Sequence, residues 1–276
     1  MSNATTQTFI RPAFGWRQKQ EDYCHLHLTK TTFRTSPHLR APGRLDPRSW
    51  LNIRSSSSML SSCGDALATC LEMIHWLKTG GEIVRLSRIF AYVISQKMDG
   101  LNGRDVGATV AGSVKASKVF GVCRERMMRT RSRYSDGFTV AARVDAAAYR
   151  AVSHSLLGSY DEVFQYLAKG LGAVLLATTW RESLARVDGR IDDLNGRILG
   201  AHVLAIVGYV DDVADDEGRA YLLAANSHDR DWGENGFSLI APRLFDAWGA
   251  DRASLLVGLS DLHRYQQRDF PAVSAG

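Results

Sequence analysis

The stretch Trp232-Gly233-Glu234-Asn235-Gly236-Phe237 carries more information about the fold than any other part of this 276-residue chain. It is long and specific, and the pair Asn226-Ser227 lies shortly before it. The apolar runs Tyr221 to Ala225 and Phe237 to Ile240 have the composition of short buried strands. Asn226 therefore stands at the end of one predicted strand, and the quoted stretch leads into the next.

A second signature surrounds His202. The run Gly200 to Tyr209 reads Gly-Ala-His-Val-Leu-Ala-Ile-Val-Gly-Tyr, which places His202 at the head of another predicted buried strand. Asn226 follows His202 by 24 residues (226 − 202). A histidine beside a buried strand is usually a packing residue, but here it shares the chain with two further signatures.

A third signature surrounds Cys63, in Ser61-Ser62-Cys63-Gly64-Asp65-Ala66-Leu67. His202 follows Cys63 by 139 residues (202 − 63). The pattern after Cys63 predicts a helix, because apolar residues recur at i, i+3 and i+4 spacing. This stripe consists of Leu67, Cys70, Leu71, Ile74 and Leu77.

These three residue types suit one chemistry. A thiol is a good nucleophile only as the thiolate, and both a helix N-terminus and a facing imidazolium lower its pKa. Cys63 meets the first condition if the helix begins there. His202 would hold the thiolate as an ion pair and later protonate a leaving amine, and Asn226 would orient the imidazole.

At these residues the chain resembles the papain family of cysteine peptidases, and more closely its bacterial and viral branch. The Cys–His spacing lies within the window of about 130–150 residues typical of that family. Ser61-Ser62-Cys63 occupies the position of the family's Gly-Ser-Cys. The stretch from Asn226 to Phe237 occupies the position of its Asn-Ser-Trp-Gly-x-x-Trp-Gly-Glu-Asn-Gly-Tyr. The softer matches are Asp99-Gly100, Asp105-Val106-Gly107 and Gly121-Val122-Cys123-Arg124-Glu125.

The resemblance implies an α+β, papain-like two-lobe fold. A helical left lobe would carry the cysteine, an antiparallel sheet or barrel would form the right lobe, and the active site would lie in the cleft between them. The expected units are an irregular basic arm over 1–45, a peptidase domain over 46–262 and a tail over 263–276. The domain divides into a helical lobe over about 55–150 and a β lobe over about 160–262.

The supporting residues depart from the family pattern. The Gln that completes the family's oxyanion hole is replaced by Ser57, or by Ser56 if one residue is inserted, and a hydroxyl is shorter than that amide. Losing one oxyanion donor costs about 10²–10³ in rate in well-studied hydrolases. The aromatic residue after the Cys is Gly64, and the Trp after Asn-Ser is His228. Ser62, Ser227 and Trp232 are the remaining supporting residues.

Elements outside the signatures agree with this division. The stripes Leu86 to Ile94 and Val106 to Ser117 predict two further helices, and Ser159 with Glu162 forms a capping box before another. Ala173 to Ala177 has the composition of a buried strand. The segments Arg186 to Arg197 and Asp211 to Gly218 are predicted loops. Helices followed by strands indicate an α+β chain.

Composition excludes several other classes of protein. Four cysteines are few for a secreted chain of this length, and Cys70 lies on the predicted buried helix stripe. Cys24, His25 and His27 are close together, but no second ligand pair follows at the spacing of a structural metal site. We therefore expect no metal and no cofactor. No apolar run approaches the about 18 residues of a membrane span, and no signal peptide is recognisable.

Positive charge is concentrated in two places. Residues 1–54 contain nine Lys/Arg against three Asp/Glu, and a second cluster comprises Arg124, Arg126, Arg129, Arg131 and Arg133. Basic segments bind polyanions, but neither stretch contains a nucleic-acid motif. A solvated charged face, or an arm that contacts assembly partners, is the favoured interpretation.

Two functions follow from the resemblance. The first is a cysteine peptidase that cleaves peptide or protein substrates through Cys63, His202 and Asn226. The second is a papain-fold protein with weak or absent proteolysis and a binding or assembly role, for example in a phage particle. The expected location is the cytoplasm, or a virion if the chain comes from a phage, with no membrane partner.

Overall fold

Helices dominate the first half of the chain and strands the second. The computed structural model describes residues 33, 35, 43–54, 59–101, 104–129, 138–185, 187–227, 230–251 and 253–261. Its α-helices are α1 (Ser62–Thr79), α2 (Arg88–Met98), α3 (Val110–Val119), α4 (Val140–Ala146), α5 (Tyr160–Ala168), α6 (Glu182–Ala185) and α7 (Pro242–Ala250). Its strands are β1 (Arg44–Leu45), β2 (Ser153–Leu157), β3 (Gly172–Arg181), β4 (Arg190–Ile191), β5 (Ile198–Ala214), β6 (Ala220–Ala225), β7 (Phe237–Ile240) and β8 (Leu255–Ser260).

The strands form one sheet with the order β2-β8-β3-β5-β6-β7-β4, and β1 adds to β5. Every pairing is antiparallel except that of β4 with β7. Helix α1 packs on β3, β5 and β8, so the cysteine-bearing helix lies against the strand that carries His202. The predicted α+β class, with a helical part and a mainly antiparallel sheet, is confirmed.

Helix α1 begins where the sequence predicts and is almost completely buried over its first three turns. It ends at Gly80, whose φ of 72° is a left-handed conformation that glycine adopts without strain. Gly64 permits the close crossing of α1 and α2, because a Cβ there would lie 2.5 Å from the Tyr92 backbone nitrogen. The small residue after the cysteine is therefore a packing requirement in this chain.

Two of the predicted helices begin later than their apolar stripes. Ser87 accepts a hydrogen bond from the Phe90 amide, which starts α2 after Leu86. Thr109 accepts one from the Gly112 amide, which starts α3 after Val106. Each stripe thus begins before its helix, because capping side chains decide where a helix starts, whereas apolar periodicity continues across the cap.

The predicted strands all lie inside observed ones, but the sheet is larger than predicted. Strand β5 extends over 17 residues and includes Asp211 to Ala214, a segment predicted as loop. Strand β4 likewise lies within the predicted loop from Arg186 to Arg197. Strands β2 and β8, which pair with each other, were not predicted at all.

The end of the predicted N-terminal arm belongs to the sheet. Arg44 pairs with Val210 and Leu45 with Tyr209, antiparallel to β5. A Cβ at Gly208 would lie 2.0 Å from the Leu45 carbonyl oxygen, so glycine is needed for this close approach. Among the residues that the structure describes, no helix combines the length and apolar character needed to cross a bilayer.

Candidate active site

His202 and Asn226 are brought together by the pairing of two neighbouring strands. His202 lies on β5, Asn226 directly follows β6, and Ala205 pairs with Ala225 in the antiparallel register. The His202 Nε2 lies 2.8 Å from the Asn226 Oδ1. An amide oxygen accepts, so Nε2 carries the hydrogen and Nδ1 is the basic nitrogen of the neutral ring. Both side chains are buried.

The stretch from Trp232 to Phe237 forms the turn that fixes Asn226. The backbone amide of Asn226 donates to the Gly236 carbonyl at 2.9 Å. The backbone amide of Gly236 donates to the Trp232 carbonyl at 2.9 Å. Gly233, Asn235 and Gly236 all have positive φ, of 57°, 55° and 86°. Two glycines and an asparagine suit this backbone, because these residues tolerate the left-handed region best. The motif is thus a structural support for the asparagine.

Cys63 is the second residue of α1 and follows Ser61 and Ser62 at the helix start. Its side chain is 1% exposed. The Cys63 Sγ donates a hydrogen bond to the Ala108 carbonyl oxygen at 3.1 Å. A thiolate has no hydrogen to donate, so ionisation of Cys63 requires this contact to be given up.

The softer match Asp105-Val106-Gly107 has a clear structural role next to the cysteine. Asp105 accepts hydrogen bonds from the Leu60 amide at 2.9 Å and from the Tyr92 hydroxyl at 2.7 Å. The Gly107 amide donates to the same hydroxyl at 3.0 Å. This loop therefore positions both the segment that enters α1 and Ala108, the acceptor for the thiol.

A buried group of charged side chains holds α1 in place. Arg88, which is 1% exposed, donates to the Asp65 carbonyl at 2.6 Å and lies 3.8 Å from the Glu72 carboxylate. Burial lowers the pKa of the Arg88 guanidinium, and the Glu72 carboxylate acts in the opposite direction. Glu72 also pairs with Arg54, which immediately precedes the serine run from Ser55 to Ser58.

A tryptophan that the sequence analysis missed covers the imidazole. The Trp180 ring centroid lies 4.6 Å from that of His202, and the Trp232 ring centroid lies 6.3 Å from that of Trp180. Trp232 donates its Nε1 hydrogen to the Leu184 carbonyl at 2.7 Å. Trp232, expected as a supporting residue, therefore packs against Trp180. The β3–β5 register brings Trp180 near His202, and no local motif reveals it.

The other described thiols are unsuited to nucleophilic chemistry. Burial raises the pKa of the Cys123 thiol to about 12, and it raises the pKa of the Cys70 thiol further. Cys63, Cys70 and Cys123 are all free of disulfides. No group of three or more His, Cys, Asp or Glu residues with the geometry of a metal site occurs in the described part of the chain.

Several predicted residues lie outside the described ranges. Ser56, Ser57 and His228 belong to this group, as does the Cys24-His25-x-His27 cluster. Ser62 is buried at the start of α1, and Ser227 directly follows Asn226 in the loop after β6. The structure thus joins His202 to Asn226 by a hydrogen bond and positions Cys63 on the helix packed against β5.

Comparison with known proteins gave matches in structure and none in sequence. No protein-family model and no curated protein matches the sequence. Xylellain, a cysteine protease from Xylella fastidiosa, has a TM-score of 0.73 at 17% identity, over 91% of this chain and 97% of that one. The fold is papain-like.

Two further structures agree with the papain-like fold. Digestive procathepsin L 3 from the larval midgut of Tenebrio molitor has a TM-score of 0.68 at 15% identity, over 91% of this chain and 77% of that one. Bromelain from Ananas comosus, solved with the E64 inhibitor, has a TM-score of 0.60 at 15% identity, over 79% of this chain and 99% of that one. At these identities the likeness establishes the fold, and the chemistry must be argued from the side chains.

Proposed function

We propose that this protein is a cysteine peptidase that uses Cys63, His202 and Asn226. The observation that carries the proposal is the 2.8 Å hydrogen bond between His202 and Asn226, on the strand against which the helix of Cys63 packs. The papain-like fold supports the same assignment. Peptides or proteins are the substrate class.

The hydrogen bond to Asn226 decides which ring nitrogen takes part in the reaction. Since Nε2 holds its hydrogen for Asn226, Nδ1 receives the proton of the Cys63 thiol, and the positive end of α1 stabilises the thiolate. The sulfur attacks the peptide carbonyl, and the imidazolium gives its proton to the departing amine. Water then hydrolyses the thioester, with His202 acting as the general base.

The oxyanion would form at the N-terminus of α1. The Cys63 amide is one donor that a helix start provides, because the first amides of a helix have no intrahelical acceptor. The second donor would come from Ser57 or Ser56, whose hydroxyls are shorter than the family's glutamine amide. We therefore expect turnover to be lower than that of a papain-type enzyme, with nucleophile reactivity less affected.

The test uses an epoxide probe that alkylates papain-type thiolates, read by intact mass. We expect one adduct, on Cys63, at mildly acidic pH, and we expect Cys63→Ala to abolish it. His202→Ala should slow the labelling, because the thiolate loses its counter-ion. Labelling of Cys70 or Cys123 in preference to Cys63, or labelling independent of His202, would overturn the proposal.

A second candidate function is binding or assembly with little proteolysis. It is favoured by the burial of Cys63 and by the bond of its thiol to Ala108, since both must change before a substrate can react. Its partners would be proteins contacted by the segment 1–45, as in a phage particle, and its location the cytoplasm or a virion. Undetectable turnover before and after Ser57→Gln, together with retained biological function in Cys63→Ala, would select this alternative.

A further inference from the structure

An open groove of about 550 Å³ lies outside the candidate active site, and we call it the arginine groove. The segment after α1 and the segment after α3 form its walls. Its lining residues are Glu82, Ile83, Val84, Arg85, Arg124, Glu125, Arg126, Arg129 and Tyr149. This lining includes none of Cys63, His202 and Asn226. The arginine groove is therefore distinct from the candidate active site.

Backbone pairing holds the two walls together. The Ser87 amide donates to the Cys123 carbonyl and the Glu125 amide donates to the Arg85 carbonyl, each at 2.8 Å. Leu86 and Arg124 form an antiparallel bridge between these two bonds. The positions of the arginine backbones are thus fixed by the fold, and only their side chains must be ordered when a ligand binds.

Two charged residues of the groove are already engaged in the framework. Arg124 donates through Nε to Asp145 at 2.8 Å, and its amide donates to the same carboxylate at 2.7 Å. Glu125 lies 3.5 Å from Arg54, which belongs to the buried charged group beneath α1. These contacts neutralise one cation and one anion of the lining.

The other three arginines of the groove are exposed and remain available to a ligand. Arg85, Arg126 and Arg129 are exposed, and none of them forms an ion pair with a residue that the structure describes. Three cations thus face one groove, with Glu82 as the acid left on its rim. A planar guanidinium matches a carboxylate through two parallel hydrogen bonds, which makes this arrangement suited to carboxylate ligands.

Apolar surface lies beside the three cations. Ile83 is 56% exposed, which is unusual for a large aliphatic side chain, and Val84 and Tyr149 continue the same lining. The Tyr149 ring is held by an edge contact with His75 at a centroid distance of 5.2 Å. A ligand that fits this groove would carry both an apolar group and negative charge.

We propose that the arginine groove binds an acidic peptide segment, with glutamate or aspartate side chains on Arg85, Arg126 and Arg129 and an apolar side chain on Ile83. A peptide fits better than a nucleic acid for two reasons. The groove is too short for a continuous run of phosphates, and its apolar lining suits a side chain. The site does not depend on the proposed peptidase activity.

The test is fluorescence anisotropy of the full chain with a short labelled peptide in which glutamates flank a leucine. We expect saturable binding that weakens as salt is added, since exposed charges are screened. Arg126→Gln with Arg129→Gln should weaken binding by about tenfold or more. Ile83→Ser should weaken it by about threefold and leave the salt dependence unchanged.

The matched control removes the same charge elsewhere. Arg181→Gln with Arg197→Gln lies on β3 and beside β5, away from the groove, and should bind the peptide as the native chain does. Cys63→Ala should also bind normally, which separates this site from catalysis. Equal loss in the control and the groove variant, no binding at all, or tighter binding of an oligonucleotide of equal charge would each overturn the proposal.

Discussion

The two halves of the candidate active site are built in different ways. In the sheet half, strand register and the turn from Trp232 to Phe237 position His202 and Asn226, so the geometry follows from backbone hydrogen bonds. In the helical half, Cys63 depends on side chains, including Asp105 in a loop and Arg88 on the neighbouring helix. The sheet half is thus fixed by the main chain and the helical half by buried polar contacts.

Substitutions in the two halves should therefore have different effects. Changes in the sheet half should affect the chemistry of the imidazole while the fold is kept, because its framework survives the loss of a side chain. Changes in the helical half should affect stability and reactivity together, because the same contacts hold the helix and position the thiol. The following predictions test this contrast.

The largest expected effect is that of His202→Ala in the sheet half. It should lower kcat/KM on a fluorogenic peptide by about 10²–10⁴, because general acid and base catalysis is lost. His75→Ala, on the last turns of α1 and far from Cys63, is the control and should retain activity. Similar losses in both variants would remove His202 from the mechanism.

Arg88→Leu in the helical half should cost about 1–3 kcal/mol of unfolding free energy, because the buried Asp65 carbonyl oxygen loses its hydrogen-bond donor. Glu72 also loses one of its two cations and keeps Arg54. Urea denaturation measures the change. Arg197→Leu removes an exposed ion pair with Glu182 and should have little effect. A small loss in Arg88→Leu would show that the buried charges do not anchor α1.

Gly64→Ala should destabilise the protein by about 1–3 kcal/mol through the contact between α1 and α2. The added Cβ would lie 2.5 Å from the Tyr92 amide nitrogen, and backbone cannot move aside as a side chain can. Gly189→Ala is the comparison, since Gly189 has a φ of 73° with nothing within 4 Å. A larger loss of stability in Gly189→Ala would indicate that backbone strain at a positive φ costs more than the clash between α1 and α2.

The smallest expected effect concerns pH and the Arg124–Asp145 pair. Burial acts to raise the pKa of Asp145, but hydrogen bonds from Arg124 hold this pKa below its usual value. A carboxyl whose pKa is lower in the folded state stabilises the fold above its unfolded pKa of about 3.9 and loses that contribution as the pH falls. Asp145→Asn should therefore lower the urea midpoint at neutral pH, and the difference should shrink in acid. A difference that stays constant with pH would contradict this account.

Local patterns in the sequence predicted much of the fold and of the site. Short-range periodicity and capping residues predicted three kinds of feature. These are the start of α1 next to Cys63, the cores of β3, β5, β6 and β7, and the cap at Ser159. Cys63, His202 and Asn226 were predicted as catalytic candidates because each has its own local signature. Gly64 was recognised only as a departure, and its reason lies in the crossing of α1 and α2.

Other features could not be predicted, because they depend on residues far apart in the chain. Strands β2 and β8 carry weak patterns and gain their identity by pairing with each other and with β3. Trp180 reaches His202 only through the β3–β5 register, and Ala108 reaches the Cys63 thiol across 45 residues.

Local sequence was sufficient to predict the class of fold, the main helices and central strands, and the candidate residues for the chemistry. Periodicity, capping and turn geometry act over a few residues, so they can be read without a structure. Three features depend on long-range packing: the burial of Cys63 and its bond to Ala108, the contact of Trp180 with His202, and the meeting of Arg85 with Arg126 and Arg129. Each of these requires two distant segments to approach, and long-range packing alone determines which segments meet.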